Sequence, residues 1–173
     1  PQNYAGQVLI PIQVITYDGD DTASLIGLLT VNVNSVADVP VFQLPSVITF
    51  SQASPVVNLG QDLNISLTDQ DGSESLSVQV ANVAFGTLNP AGVFQGGLRY
   101  LFTESQFSAL TYTPDISWFA SHPQGHTLNI KAIVTDGPQT LEIPGPGQAQ
   151  GVIVRLAPGR HVRSIQNSQV VTK

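Results

Sequence analysis

The sequence predicts an all-β protein, a Greek-key β-sandwich, and three observations carry that prediction. Only 10% of the 173 residues are charged while 42% are hydrophobic. The surface must then be filled by Thr, Ser, Gln and Asn, as on exposed sheet faces, rather than by the Glu, Lys and Arg of helices. Apolar and polar residues alternate with period two in successive runs. Turn signals rich in Gly and Pro separate most of these runs at intervals of about 8 to 15 residues, the spacing of sandwich strands.

Taken in order, Val8, Ile10, Ile12 and Val14 alternate with Gln7, Leu9, Pro11 and Gln13 and define a first strand. Pro11 limits it to a sheet edge or a bulge, because proline has no amide to donate. Asp18-Gly19 ends the run, an acidic turn-rich loop follows, and Leu29, Val31 and Val33 mark the returning strand. Leu63 to Leu67, Leu76 to Val80, Leu98 to Phe102, Thr127 to Thr135 and Gly151 to Leu156 are the later strand candidates. Thr103 to Leu110 is the single helical candidate, since Thr103 with Gln106 resembles a capping box.

The chain also repeats itself. Ile10, Ile12, Val14, Asp18 and Gly19 overlay Leu128, Ile130, Ala132, Asp136 and Gly137 at a constant offset of 118 residues, and Leu29 to Val33 then falls opposite Gly151 to Arg155 at an offset near 122. Residues 1–38 therefore read as the last two strands of one module, 39–157 as a complete module and 158–173 as a basic tail. The boundary is Ser35-Val36-Ala37-Asp38-Val39-Pro40, although two unrelated hairpins with Asp-Gly turns would also align.

Charge and composition exclude several functions. Twelve acids against six Lys and Arg give a net charge of −6, which opposes binding to nucleic acid or to an anionic membrane. No apolar run is long enough to span a bilayer, so membrane insertion is not expected. Without Cys there is no disulfide framework, Cys-ligated zinc or thiol nucleophile. A start at Pro1 with no Met reads as a processed chain or a piece of a longer one. Charge is also unevenly placed: residues 143–173 hold four of the six basic residues and none of the twelve acids. Val162, Ile165, Val170 and Val171 in the tail suit either a strand donated to another subunit or a frayed end.

Val36-Ala37-Asp38-Val39-Pro40 as a linker, Leu67-Thr68-Asp69-Gln70-Asp71-Gly72-Ser73-Glu74 after a strand, and Leu110-Thr111-Tyr112-Thr113-Pro114, taken together, resemble the tandem cadherin-like or immunoglobulin-like repeats of large bacterial surface adhesins, including the RTX type. The resemblance implies seven-stranded sandwiches in a beads-on-a-string array, secreted to the cell surface and stiffened by calcium where beads meet. The chain departs from that pattern at Leu156-Ala157-Pro158-Gly159-Arg160-His161, where the acidic linker does not recur.

The acidic loops support a cation on chemical grounds as well. Calcium takes six to eight oxygens, and Asp-rich loops with Gly at the tight turn supply them. The stretch Asp69 to Glu74 offers three carboxylates but is not an EF-hand, which needs a twelve-residue loop between helices. If strands alternate in direction from the linker, Asp38, Asp69, Asp71, Glu74 and Asp136 converge at the module junction, where five carboxylates need a cation or large pKa shifts. A solvated Asp-Gly turn is the alternative. Asp18, Asp20 and Asp21 form the corresponding weaker second site at the far end of the partial module.

Catalytic constellations are poor, and an enzyme is not expected. His122 and His126 suit a surface loop better than a transition-metal pair, no Gly-x-Ser-x-Gly elbow is present, and Pro in Gly145-Pro146-Gly147 removes amides that a phosphate loop would use. Trp118-Phe119 beside Tyr112 and His122 reads as core or as an exposed surface for sugar or protein. Asn64-Ile65-Ser66 matches a glycosylation sequon within a strand. The sequence thus points to a non-enzymatic spacer of a repeat adhesin. The alternatives are a subunit of an extracellular filament assembled by strand donation between copies, and a carbohydrate-binding accessory module.

Overall fold

The computed structural model describes residues 6–68, 72–145 and 147–158. Thirteen strands and three short helices follow one another in these residues: β1 (Gly6–Asp18), β2 (Asp21–Val33), β3 (Val41–Gln43), β4 (Val47–Phe50), α1 (Leu59–Asp62), β5 (Asn64–Ser66), β6 (Glu74–Ala81), β7 (Gly86–Asn89), β8 (Val93–Gly96), β9 (Arg99–Thr103), α2 (Glu104–Ser108), β10 (Thr111–Pro114), α3 (Ile116–Ser121), β11 (His126–Asp136), β12 (Gln139–Ile143) and β13 (Gln150–Leu156). The protein is an all-β sandwich, with 58% of the described residues in strands and 10% in helices.

The main sheet runs β4-β13-β11-β6-β9-β8, with β4 parallel to β13 and the other neighbours antiparallel. Facing it are the shorter pairs β3-β5 and β7-β10 together with the helices. The period-two pattern puts Leu76, Val78 and Val80 of β6 and Leu128, Ile130, Ala132 and Val134 of β11 on one face, nearly all fully buried. Against them pack Leu59, Leu63, Phe107, Tyr112 and Phe119. Each such side chain removed from water contributes about 1.5–3 kcal/mol. Among the described residues, none before Ala37 belongs to this core or packs against it.

The strand β11 is the spine. It pairs along one edge with β6, and along the other with β12 over Ala132 to Asp136 and with β13 over His126 to Ile130. β12 ends with Ile143 opposite Ala132 and β13 begins with Gln150 opposite Ile130, so the two follow one another along the same edge of β11 like one interrupted strand.

The N-terminal hairpin has the same plan without the interruption. Its strands β1 and β2 pair over thirteen rungs from Gly6↔Val33 to Asp18↔Asp21. The acidic loop expected after Gly19 is therefore only a two-residue turn, with Gly19 at φ +60°, and residues 21 to 28 are strand. They escaped the sequence reading because Thr22-Ala23-Ser24 carries little apolar contrast. Val8 pairs with Val31 and His126 with Val154, so the first strands are offset by 118 residues and the second by 123 rather than 122. The correction follows from parity: a one-residue slip flips every side chain to the other face. At 123, Leu29 and Val31 fall on the buried face occupied by Val152 and Val154. Among the described residues β1 has one neighbour only, which accommodates Pro11.

Candidate functional site

The best-defined polar site lies where the hairpin enters the sandwich. Strand directions decide what meets there. β5 runs back antiparallel to β3, and Thr68 just beyond it donates its hydroxyl to the Val39 carbonyl at 3.0 Å. Glu74 opens β6 directly opposite Asp136, the last residue of β11. The linker is fastened to both: the Asp38 N–H donates to Glu74 Oε1, and the Ser35 hydroxyl donates to the Asp136 carbonyl at 3.0 Å.

Gly137 suits this closeness. Its φ is +54°, which strains any other residue, and a Cβ there would lie 2.8 Å from Ser35 Oγ and displace the hydroxyl that donates to Asp136. An open cleft of about 720 Å³ between Gly6, Val33 and Ser35 on one side and Ser73, Asp136 and Gln139 on the other exposes the junction to solvent.

The structure thus brings Asp38, Glu74 and Asp136 to one end of the module. Asp69 and Asp71, with the tail from residue 159 onward, lie outside the described residues. Among the described residues, no three His, Asp or Glu side chains are already arranged to hold a metal ion. One observation nevertheless fits a cation. Glu74 Oε2 is buried and has no hydrogen-bond partner among the described residues, a costly arrangement for a carboxylate oxygen unless something positive meets it. Asp136 beside it is only 4% exposed. A hard cation held by carboxylate oxygens suits this donor set.

Asp18, Asp20 and Asp21 sit at the exposed tip of the hairpin, Asp18 opposite Asp21. Thirteen rungs at about 3.3 Å each separate them from the junction, roughly 40 Å away. They form an isolated acidic turn.

The aromatic candidates are arranged as packing. Tyr112 is fully buried and donates its hydroxyl to the Ala84 carbonyl at 2.8 Å. Trp118 is stacked on both faces, by Phe85 at 3.9 Å and by His122 at 4.1 Å, so neither face of its ring is open to a sugar. His122 Nδ1 lies 2.8 Å from the Trp118 carbonyl and His126 Nε2 lies 2.7 Å from the Asn82 carbonyl, which fixes both rings within that packing. Asn64 is exposed on β5 with its amide donated to Gln43.

Sequence reasoning missed the apolar face of the hairpin as a feature in its own right. The signal was present in Ile10, Ile12, Val14, Leu25, Leu29 and Val31, but without a register the second strand could not be assigned to a face. Comparison with protein-family models, with curated proteins and with solved structures finds no match for this chain. Among the described residues no helix is long and apolar enough to cross a membrane.

Proposed function

We infer that this chain is a non-enzymatic structural protein of the bacterial cell surface, a spacer of a repeat adhesin whose joint is stiffened by calcium. In this reading residues 39–157 are one complete bead, residues 1–38 bring the closing strands of a neighbouring bead, and 158–173 form a basic tail. The partners are neighbouring modules or other copies of the chain. The observation that carries the reading is Glu74 Oε2, buried and unpartnered among the described residues, beside Asp136 and the Asp38 amide, at the point where the linker would otherwise hinge.

Glu74 and Asp136, together with Asp38, Asp69 and Asp71, are the residues that would hold the ion. A bound calcium would supply positive charge linking the linker, the start of β6 and the end of β11, and bending at the joint would then require those oxygens to separate from it. Thermal melting with calcium and with chelator tests this. The calcium form should melt higher, since a ligand at a hundredfold excess over its dissociation constant adds about 2.7 kcal/mol to stability. Glu74→Gln should abolish most of that difference. An unchanged melting curve on chelation would sink the stiffening mechanism.

A further inference from the structure

We propose that the chain self-associates through the apolar face of the β1-β2 hairpin, the occupant of that face being the same face of a second copy. The two hairpins would form a four-stranded sandwich that joins two chains.

The register defines the surface. Ile10, Ile12, Val14, Leu25, Leu29 and Val31 all point to one side of the ribbon, and the charged residues on that side, Asp18 and Asp21, stand together at the tip rung beyond the apolar patch. They stand where Leu128, Ile130, Ala132, Ile143, Val152 and Val154 stand in the sandwich. Five of those six are fully buried, whereas the hairpin residues are 36% to 72% exposed. The opposite side of the ribbon also exposes Leu9, Ile15, Tyr17, Ile26 and Leu28, but it interleaves them with Gln7, Gln13, Thr22, Ser24, Thr30 and Asn32, so its apolar surface is the less continuous of the two. Among the described residues this two-stranded ribbon has no second layer over that face, and such a layer is what stabilises a sheet.

Area and shape select a second copy. The exposed parts of these side chains amount to roughly 600 Å² per copy and about 1,200 Å² for a pair, the lower edge of a stable specific interface. The middle rung of the ladder is Ile12↔Gly27, and Gly27 leaves a notch of about 280 Å³ between Ile12, Val14, Leu25 and Leu29. Leu25, the most exposed residue of the face at 72%, stands beside that notch. A two-fold axis across the ribbon at the adjacent Gln13↔Ile26 rung, midway between Leu25 and Gly27, lets each copy's Leu25 fill the space over the other's Gly27, as a self-complementary interface requires. The same axis places the tips carrying Asp18, Asp20 and Asp21 at opposite ends, where like charges do not meet.

Light scattering behind gel filtration of the full chain at about 50 μM tests the proposal, because an interface at this lower edge gives affinities on the order of micromolar. The expected species is a dimer of 18.3 kDa chains. Leu25→Asp buries an unpaired charge twice in a symmetric interface and should weaken the dimer at least ~100-fold. Gly27→Val fills the notch. Its Cβ meets nothing within 4 Å in its own chain and its branched side chain favours strand, so it should weaken the dimer about tenfold and leave the fold intact. Trp118 fluorescence, which reports the sandwich, should be the same in all three proteins. A monomeric parent chain would overturn the proposal and leave the strands of a neighbouring module as the occupant. A dimer that persists in both variants would overturn it in favour of another surface.

Discussion

Tyr112 shows how one residue links packing to pH. It is fully buried in β10, and its hydroxyl is the only part that needs a polar partner, which it finds in the Ala84 carbonyl at 2.8 Å. Burial pushes the phenol far above its ordinary value of 10.0, and the negative charge of Asp115 pushes it further. The fold therefore favours the protonated phenol. That contribution is complete below the ordinary tyrosine value and is lost as pH rises past it, because only the unfolded chain releases the proton. Tyr112→Phe should cost about 1 kcal/mol at neutral pH, the worth of a buried hydrogen bond. It should also flatten the loss of stability above about pH 10, measured by denaturant titration on either side of that value. Asp115, which caps α3 by accepting from the Ser117 and Trp118 amides, is shifted the other way. The Ser117 hydroxyl and those amides hold its carboxyl below the usual range, so its support for α3 fades only in acid.

At the scale of elements, the interruption between β12 and β13 sets up a local charge problem. Lys131 lies on the outward side of β11 between the rungs paired with β12 and those paired with β13, and its side chain is 11% exposed. Glu142 of β12 reaches back to it, Nζ to Oε2 at 2.8 Å. Removing the acid strands a mostly buried ammonium, whereas removing the base leaves a carboxylate that is 31% exposed and can reach water. Glu142→Gln should therefore destabilise by about 1–3 kcal/mol and Lys131→Met by less than about 1 kcal/mol, compared by thermal melting. Such pairings were not legible in the sequence, because the loop that brings Glu142 opposite β11 has no pattern of its own. Alternation did reveal β1, β6, β9, β11 and β13, and Thr103 with Gln106 revealed the cap of α2, where the hydroxyl accepts from the Gln106 amide. The three- and four-residue strands β3, β4, β7 and β8 are too short for a period of two to register. For α1 and α3, tertiary packing of Leu59 and Phe119 rather than helical periodicity fixes the turn. At the junction, opposed strand directions made the approach of Asp38, Glu74 and Asp136 legible. The burial of Glu74 was not, because it depends on where the linker folds back.

For the whole molecule, the distribution of burial predicts two levels of stability in one chain. Every residue of the hydrophobic core lies between Ile48 and Val154, and the partly buried side chains packed on it begin at Ala37. The hairpin supplies none of them, so its opening exposes only the surface that β1 and β2 cover on each other and costs far less than opening the core. In dilute solution the amides of β1 and β2 should exchange with solvent orders of magnitude faster than those of β6 and β11, which are hydrogen-bonded on both sides within the main sheet and open only when the module does. Concentration should then act on one part of the chain alone. As copies associate through Ile10, Ile12, Val14, Leu25, Leu29 and Val31, protection should appear along β1 and β2 by mass action. The amides of β6 and β11 should keep the rates set by the core. Hydrogen exchange followed by mass spectrometry across a hundredfold range of concentration reads both effects at once. Uniform protection of the hairpin at every concentration would mean that it is held by its own chain, and a concentration effect confined to the exposed edge strand β8 would relocate the contact to the other end of the main sheet.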